Sequence, residues 1–346
     1  MMDIPQAVLT AYGFAGPDTV INAFGTGLIN HTWTVKQGGK KYILQRINTQ
    51  VFQQPEAIAD NISRIAAYLA EHTPGYFFVA PVIAADGKQL ITIEGELGGS
   101  FRVFPFVPGS HSKQVATDAN QAFEAAKQFG RFTRLLSGFA AKTLHTTIPS
   151  FHDLSLRYRQ FLQALEQGNP ERIRQSAALI QQIKEQSQLV NRFVEIQNDP
   201  GFRIRVTHHD TKISNVLFDD QDHALCVIDL DTVMPGYFIS DVGDMMRTYL
   251  PTVSEEEKDF SKINVREDMY HAIVKGYLSE MEEELSAAEK ASFFYAGQFM
   301  IYMQALRFLT DHINHDVYYG ASYPDHNLVR AGNQLVLLQK LTEMAL

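Results

Sequence analysis

Hydrophobic periodicity changes character at Pro108-Gly109, and that change restricts the fold more than any other feature of the chain. Before it, apolar residues alternate as in half-buried strands; after it, they recur at helical spacing. Leu28 to Val35 and Lys41 to Ile47 read as two strands around Gly38-Gly39, a hairpin signal. Ile58, Ile62, Ile65 and Leu69 predict one helix over 55–71, with Pro55 in its first turn. Phe77 to Ile83 and Gln89 to Ile93 flank Asp86-Gly87 as further strands, and Ser100 to Val107 is an aromatic strand. Past Pro108 the expected helices cover 117–136, 154–165 and 170–197. Short strands and loops follow over 203–231, and the chain is helical again from Met269. Ser286-Ala287-Ala288-Glu289 has the form of a capping box and predicts a long helix reaching about Asp311. The expectation is an α+β fold of two lobes. Residues 1–107 form a small antiparallel-sheet lobe with one main helix, and 108–346 form a larger, mostly helical lobe. Ligand sites favour such an interface.

Composition narrows the function classes. A chain of 346 residues is long enough for two cores. Its net charge of −9 argues against nucleic-acid or anionic-membrane partners, which require a basic face. No apolar run reaches the length of a membrane span. The single cysteine, Cys226, lies in the apolar run Ala224 to Ile228, so it reads as a small buried residue and allows no internal disulfide. A reducing cytosol suits that usage. Met1 to Pro5 lacks the charged and apolar regions of a signal peptide, so a cytoplasmic protein is expected.

The chemistry concentrates in Val206 to Phe218. This stretch contains H-x-D-x4-N at His208, Asp210 and Asn215, and Asp229 follows in Cys226-Val227-Ile228-Asp229-Leu230-Asp231. The spacing is that of a kinase catalytic loop followed by a metal-binding aspartate. Phosphoryl transfer needs a carboxylate to orient and deprotonate the attacking hydroxyl. It also needs Mg²⁺, a hard octahedral cation that selects oxygen ligands. Asp210 suits the first role, and the Asn215 amide with the Asp229 carboxylate suits the second. A plain hairpin with solvated turn residues does not explain why Asp229 sits in an apolar strand, where an unpaired carboxylate is costly.

With Ser240-Asp241-Val242-Gly243-Asp244, this loop resembles the aminoglycoside phosphotransferase and choline kinase superfamily. Four stretches are most similar to the N-acetylhexosamine 1-kinases and related anomeric sugar kinases. They are Gly27 to Thr32, Tyr42 to Asn48, His209 to Lys212 with Ile228 to Gly236, and Arg307 to Asp311. The resemblance implies ATP and Mg²⁺ as cofactors and a small sugar as acceptor, phosphorylated at its C1 hydroxyl. Asp210 matches the catalytic base, Asn215 and Asp229 match the Mg²⁺ ligands, and Asp231 either assists the metal or holds the loop. His208 matches a position that braces the loop. Gly25 and Gly27 fall where relatives carry a glycine-rich phosphate loop, and Thr32 contributes a hydroxyl to phosphate or sugar. Relatives place a strand lysine against the phosphates; here the strand reads Leu44-Gln45-Arg46-Ile47, and Arg46 takes that role. Glu56 is either the partner of Arg46 or an acidic residue favoured at a helix N-terminus. Phe104 and Phe106 occupy the hinge beside adenine. Lys212 stabilises the transferring phosphoryl group or contacts the sugar. Arg307 and Asp311, four apart on one helix face, are either a surface ion pair or, with Tyr318 or Tyr319, the wall that closes over the sugar.

Two other readings compete. One is a kinase of the same fold acting on an aminoglycoside, a choline-like amine or another metabolite. The other is a non-catalytic nucleotide-binding protein, which the intact trio of Asp210, Asn215 and Asp229 disfavours. A protein kinase is disfavoured because no D-F-G or A-P-E segment is present. His312, His315 and Asp316 match no common zinc spacing and read as solvated residues after a helix.

Overall fold

Alternation and turn chemistry build the first lobe. The computed structural model describes residues 4–25, 30–95 and 97–344. Helix α1 (Gln6–Ala11) precedes β1 (Val20–Ala23), β2 (His31–Gln37) and β3 (Lys40–Arg46). Then come α2 (Pro55–His72), β4 (Ile91–Ile93) and β5 (Gly99–Pro105). The strands form one antiparallel sheet in the order β1-β2-β3-β5-β4. Gly38 and Gly39 both take positive φ, 55° and 76°, which the tight β2–β3 turn requires. One face of the sheet packs Val35, Leu44, Phe101 and Val103 against Val8, Tyr12 and Phe14 from the α1 segment. The expected strand over 77–83 does not form. Pro81 removes a donor there, and the segment follows the sheet through one bond, Val82 N donating to Val103 O at 2.7 Å. Neither α1 nor β1 was expected.

The second lobe comprises β6 (His111–Ser112), α3 (Ala119–Leu135), α4 (Leu154–Gln167), α5 (Pro170–Gln175), α6 (Ala177–Glu185) and α7 (Gln188–Asn198). It continues through β7 (Arg205–Thr207), β8 (Val216–Phe218), β9 (Ala224–Val227), β10 (Met234–Gly236) and α8 (Phe238–Tyr249). It ends with α9 (Glu267–Met281), α10 (Ala287–Lys290), α11 (Phe293–Ile313) and α12 (His326–Glu343). The single helix expected over 170–197 is three, interrupted near Ser176 and Ser187. The capping box at Ser286 is real, but the helix it opens ends at Lys290. The Ser292 hydroxyl donates to Ala288 O, and α11 starts afresh at Phe293. Cys226 is buried, as expected, and burial pushes its thiol up to about 12.

A small sheet of β6, β8 and β9 and the β7–β10 pair carry the motif loops, and the buried helix α8 fixes them. Gly243 lets α8 press against Ala296 of α11, where any side chain would collide with backbone. Asp241, in the first turn of α8, then accepts from His208 N at 2.9 Å and from His209 N at 2.8 Å. Asp244 accepts from Thr211 N at 2.8 Å, and the Tyr249 hydroxyl donates to Thr211 O at 2.6 Å. One face of one helix therefore holds the backbone on both sides of Asp210. Farther out, fully buried Glu289 receives the Arg205 guanidinium, Arg203 N and Ser286 N.

Two predictions follow from these buried carboxylates. Removing the partner of a buried ion costs about 3–5 kcal/mol. Glu289→Ala should therefore lower the chemical-denaturation stability by about that amount, whereas the double variant with Arg205→Met should recover part of it. Burial pushes the Asp241 carboxyl up to about 7. A carboxyl raised in the folded state binds its proton before the unfolded chain does, so its contribution to stability increases as pH falls toward 4. The stability advantage of wild type over Asp241→Asn should consequently widen between pH 8 and pH 5. The neighbouring histidines are common to both proteins and cancel in the comparison.

Candidate active site

Strand parity decides which residues face the cleft. β3 and β5 pair with Gln45 opposite Arg102, Ile43 opposite Phe104 and Arg46 opposite Phe101. Phe101 belongs to the core beneath α1, so Arg46 lies on that face, over the Phe101 ring and donating to Gly98 O. Arg46 therefore does not supply the strand cation to the cleft. No ion pair joins it to Glu56 among the described residues; Glu56 instead lines a groove between α2 and β4. The cleft face carries Gln45 and Arg102. Arg102 Nε and Nη2 lie 3.1 and 2.9 Å from Gln45 Oε1, and Nη1 lies 2.5 Å from Asp231 Oδ1.

The same face presents Thr32, Phe104 and Phe106. Thr32 Oγ1 accepts from Gln45 Nε2 at 3.4 Å. Lys41 Nζ stands 3.6 Å from the centre of the Phe106 ring, and the Arg102 guanidinium stands 5.0 Å from that of Phe104. Gly25 has φ of 76°, in the region that favours glycine. Gly27 lies outside the described residues.

Across the cleft, the Asn215 amide donates to Asp210 O at 2.8 Å and to Asp210 Oδ2 at 3.1 Å. Lys212 Nζ pairs with Asp210 Oδ1 at 3.1 Å, and this carboxylate raises the lysine's pKa. Asp210 is thus oriented by both of its oxygens. The Ile228 amide donates to Asn215 O at 2.9 Å, which places Asp229 beside the loop. Asp229 takes the left-handed conformation, with φ and ψ both 60°. Solvent reaches its carboxylate, yet protein crowds round it. That crowding, then repulsion from Asp231 and Asp210, pushes the carboxyl up to about 7.

Asp231 is spent elsewhere. It is buried, and besides Arg102 it accepts from Asn30 Nδ2 at 2.8 Å. Of its two expected roles, the structure shows the partners of the holding one. His208 braces the loop from a buried position. Its Nε2 lies 2.9 Å from Ile228 O, Phe129 packs edge-on against its ring, and burial lowers its pKa.

Arg307 lies within cation–π distance of Phe151, Tyr318 and Tyr319, and Nη2 donates to the Tyr318 hydroxyl at 3.2 Å. No Arg307–Asp311 ion pair forms among the described residues. Both oxygens of buried Asp311 instead accept backbone amides, Tyr318 N at 2.8 Å and Tyr319 N at 2.9 Å. Asp311 therefore positions the two tyrosines. Arg307, Tyr318, Tyr319 and Asp311 help to line a groove of about 420 Å³ against α4, which adds Arg157, Gln160 and Gln163. His312 is fully buried rather than solvated, and the described residues contain no cluster suited to hold a metal through histidine, cysteine, aspartate and glutamate.

Arg102, Asp241 and Asp244 were not anticipated as site residues. Buried Leu44 shares its strand face with Arg46, so parity alone could have directed attention to Gln45 and its neighbour. Asp241 and Asp244 are three apart on a helix, a spacing that places both on one face.

Comparison with solved structures returns the same architecture at low identity. An amicoumacin kinase in complex with AMP-PNP, Ca²⁺ and its antibiotic superposes with a TM-score of 0.66 at 18% identity, covering 98% of this chain and 94% of that one. A microcompartment-associated aminopropanol kinase gives 0.65 at 18%, covering 97% and 95%. A choline/ethanolamine kinase family protein from Mesorhizobium loti gives 0.55 at 15%, covering 98% and 94%. These likenesses establish the bilobal kinase-like fold. Residues 20–280 match the sequence profile of the Phosphotransferase enzyme family (APH). That span takes in the sheet, the loop from His208 to Asn215, and the clamp on α8, and the chain belongs to that family.

Proposed function

We propose that the chain is an ATP- and Mg²⁺-dependent small-molecule kinase whose acceptor is the anomeric C1 hydroxyl of an N-acetylhexosamine or hexose. The kinase reading is carried by one grouping: Asp210 oriented by Asn215 and Lys212, beside a crowded Asp229. We take the lobes to divide between residues 107 and 108, with Phe104 and Phe106 offering apolar cover to a purine and Gly25 opening the phosphate loop. The donor set fits a hard divalent cation. Asn215 commits its amide nitrogen to Asp210, which turns the amide oxygen to cation binding, and a cation would relieve the repulsion at Asp229. Bound there, Mg²⁺ would neutralise charge on the phosphate oxygens.

Asp210 orients the acceptor hydroxyl and takes its proton as that oxygen bonds the γ-phosphorus and the bond to the β–γ bridging oxygen breaks, releasing ADP. Lys212 holds one oxygen of that carboxylate and places positive charge beside the transferring group. His208 and the Asp241 clamp keep the loop in one geometry, which matters because positioning supplies much of the acceleration in such reactions. Single, buried Cys226 suits a reducing cytoplasm, where ATP is abundant. No helix among the described residues is long and apolar enough to cross a membrane.

On the acceptor side, Arg307, Tyr318, Gln160 and Gln163 offer donors and stacking surface to a neutral, hydroxyl-rich ligand. A second reading, an amine-bearing acceptor, draws support from the names of the structural neighbours, an amicoumacin kinase and an aminopropanol kinase. The groove disfavours it. Its charged side chains are Arg157, Arg307 and Asp311, and Asp311 is committed to backbone amides.

Asp210→Asn should fold with an unchanged thermal midpoint and lose about 10²–10⁴-fold in kcat; near-normal turnover would refute the base assignment. A panel of free sugars and amino alcohols with ATP and Mg²⁺, read by phosphorus NMR, should yield a sugar 1-phosphate. A product phosphorylated at C6 would overturn the anomeric assignment, and turnover of amino alcohols alone would establish the second reading.

A further inference from the structure

Nucleotide phosphates bound in the cleft need a cation from the sheet, and β3 does not present one beside the catalytic loop. Arg46 faces the α1 side, and its cleft-facing neighbour is the uncharged Gln45. Arg102 on β5 stands directly opposite Gln45 and points across the cleft to Asp231. We propose that Arg102 is the nucleotide-phosphate ligand of this enzyme, and that Asp231 is its resting partner, which the phosphates displace.

Four observations carry the inference. Arg102 is 3% exposed, yet its Nη1 forms an ion pair with a carboxylate contributed by the other lobe, so the guanidinium lies at the interface of the two. Gln45 Oε1 bridges Nε and Nη2, which fixes the guanidinium plane without neutralising its charge. A planar guanidinium recognises carboxylate and phosphate oxygens by the same fork geometry, so one anion can replace the other. Asp231 lies two residues after Asp229, the proposed metal ligand, so the Asp231 carboxylate occupies space close to where metal-bridged phosphates belong. Its second oxygen accepts from Asn30, whose own Oδ1 accepts from Asn48 N at 3.0 Å. Asn30 directly precedes His31 of β2, so the same carboxylate gathers β5 and the start of β2. Phosphates entering there meet two donors already aimed at an anion.

A purely structural account treats Arg102–Asp231 as a strut between lobes, in which case loss of either partner leaves a buried charge and weakens the fold alike. The two accounts differ in kinetics. The proposal rests on the ATP-dependent reading, so the first measurement is calorimetric binding of MgATP to the wild-type chain. Absence of binding overturns that reading and the proposal with it. Given binding, Arg102→Met should raise the KM for MgATP about 10–100-fold, the range of a charge-assisted hydrogen bond, with the acceptor KM within about twofold of wild type. Arg102→Lys should recover part of the loss and serves as the test if the methionine variant does not fold. Asp231→Asn frees the guanidinium, so its KM for MgATP should be unchanged or lower, even as its thermal midpoint falls. Equal increases in the MgATP KM for the Arg102 and Asp231 variants, or a lowered midpoint with unchanged MgATP KM for both Arg102 variants, would show a strut alone. Loss of kcat in Asp231→Asn at unchanged MgATP KM would return Asp231 to the metal site and overturn the displacement.

Discussion

The loop that carries Asp210 is held by one buried carboxylate, Asp241, through the two backbone amides it receives. His209 adopts φ of 63°, a conformation that a side chain larger than glycine's rarely takes. The chain turns there immediately before Asp210, so the direction of that side chain depends on a residue under backbone strain. Asp241 meets the His208 and His209 amides with separate oxygens and holds that turn. Burial alone would favour the protonated acid, but both amide hydrogen bonds favour the carboxylate, and their opposition leaves the group near neutrality. The helix carrying it can approach closely because Gly243 has no side chain. A fold-level feature, the closeness of α8 and α11, is therefore linked by one residue to the geometry of the catalytic loop.

The cleft solves a problem of carboxylate crowding by assigning each acid a different partner. Asp244 takes Thr211 N and Arg247, and Arg247 passes the charge on to Glu255. Asp231 takes Arg102 and Asn30, and Asp210 takes Asn215 and Lys212. Asp229 is the remainder. Surrounding protein and repulsion from Asp231 and Asp210 raise its pKa, as burial raises those of Asp241 and Asp244, and on the proposed reading it is the acid that a bound cation would complete. A perturbed carboxyl at the lip of a cleft often reports function. Here the perturbation has a stated cause, since neighbouring acids add to desolvation.

Much of this was legible in the sequence. The sheet-rich first region, the Gly38-Gly39 turn and the helical second region each rest on local rules, and each formed; the spacing from His208 to Asn215 brings Asn215 onto Asp210. What failed depended on context. The Ser286 capping box is a local signal and formed, but the helix length behind it was set by Ser292 and by the pull of Glu289 toward Arg205, a partner 84 residues away in sequence. Arg46 was assigned by position along a strand, whereas its face follows from alternation and from the α1 segment, which covers one side and gave almost no signal of its own. Asp311, four residues from Arg307, was read either as half of a surface ion pair or, by resemblance, as part of a wall over the sugar; the ion pair is absent among the described residues. No sequence rule reveals that a loop returns to place two amides on it.

The resulting charge layout bears on which ligands would suit the groove between α4 and α11 as the proposed acceptor pocket. A polycationic ligand needs carboxylates that remain uncompensated after folding, because an amine entering a desolvated groove must recover the solvation it loses. In the groove between α4 and α11, the lining acid is already satisfied by Tyr318 N and Tyr319 N, and the two lining cations are arginines. The overall charge of −9 says nothing about that local balance, since net charge governs long-range attraction rather than pocket chemistry. By tying Asp311 to the backbone, the fold uses a negative charge to shape the tyrosine wall instead of to bind a cation. The same economy operates at Asp241 and Asp231. In each case an acid is converted from a ligand into a fixture, so that the few acids left open to solvent can act on what enters.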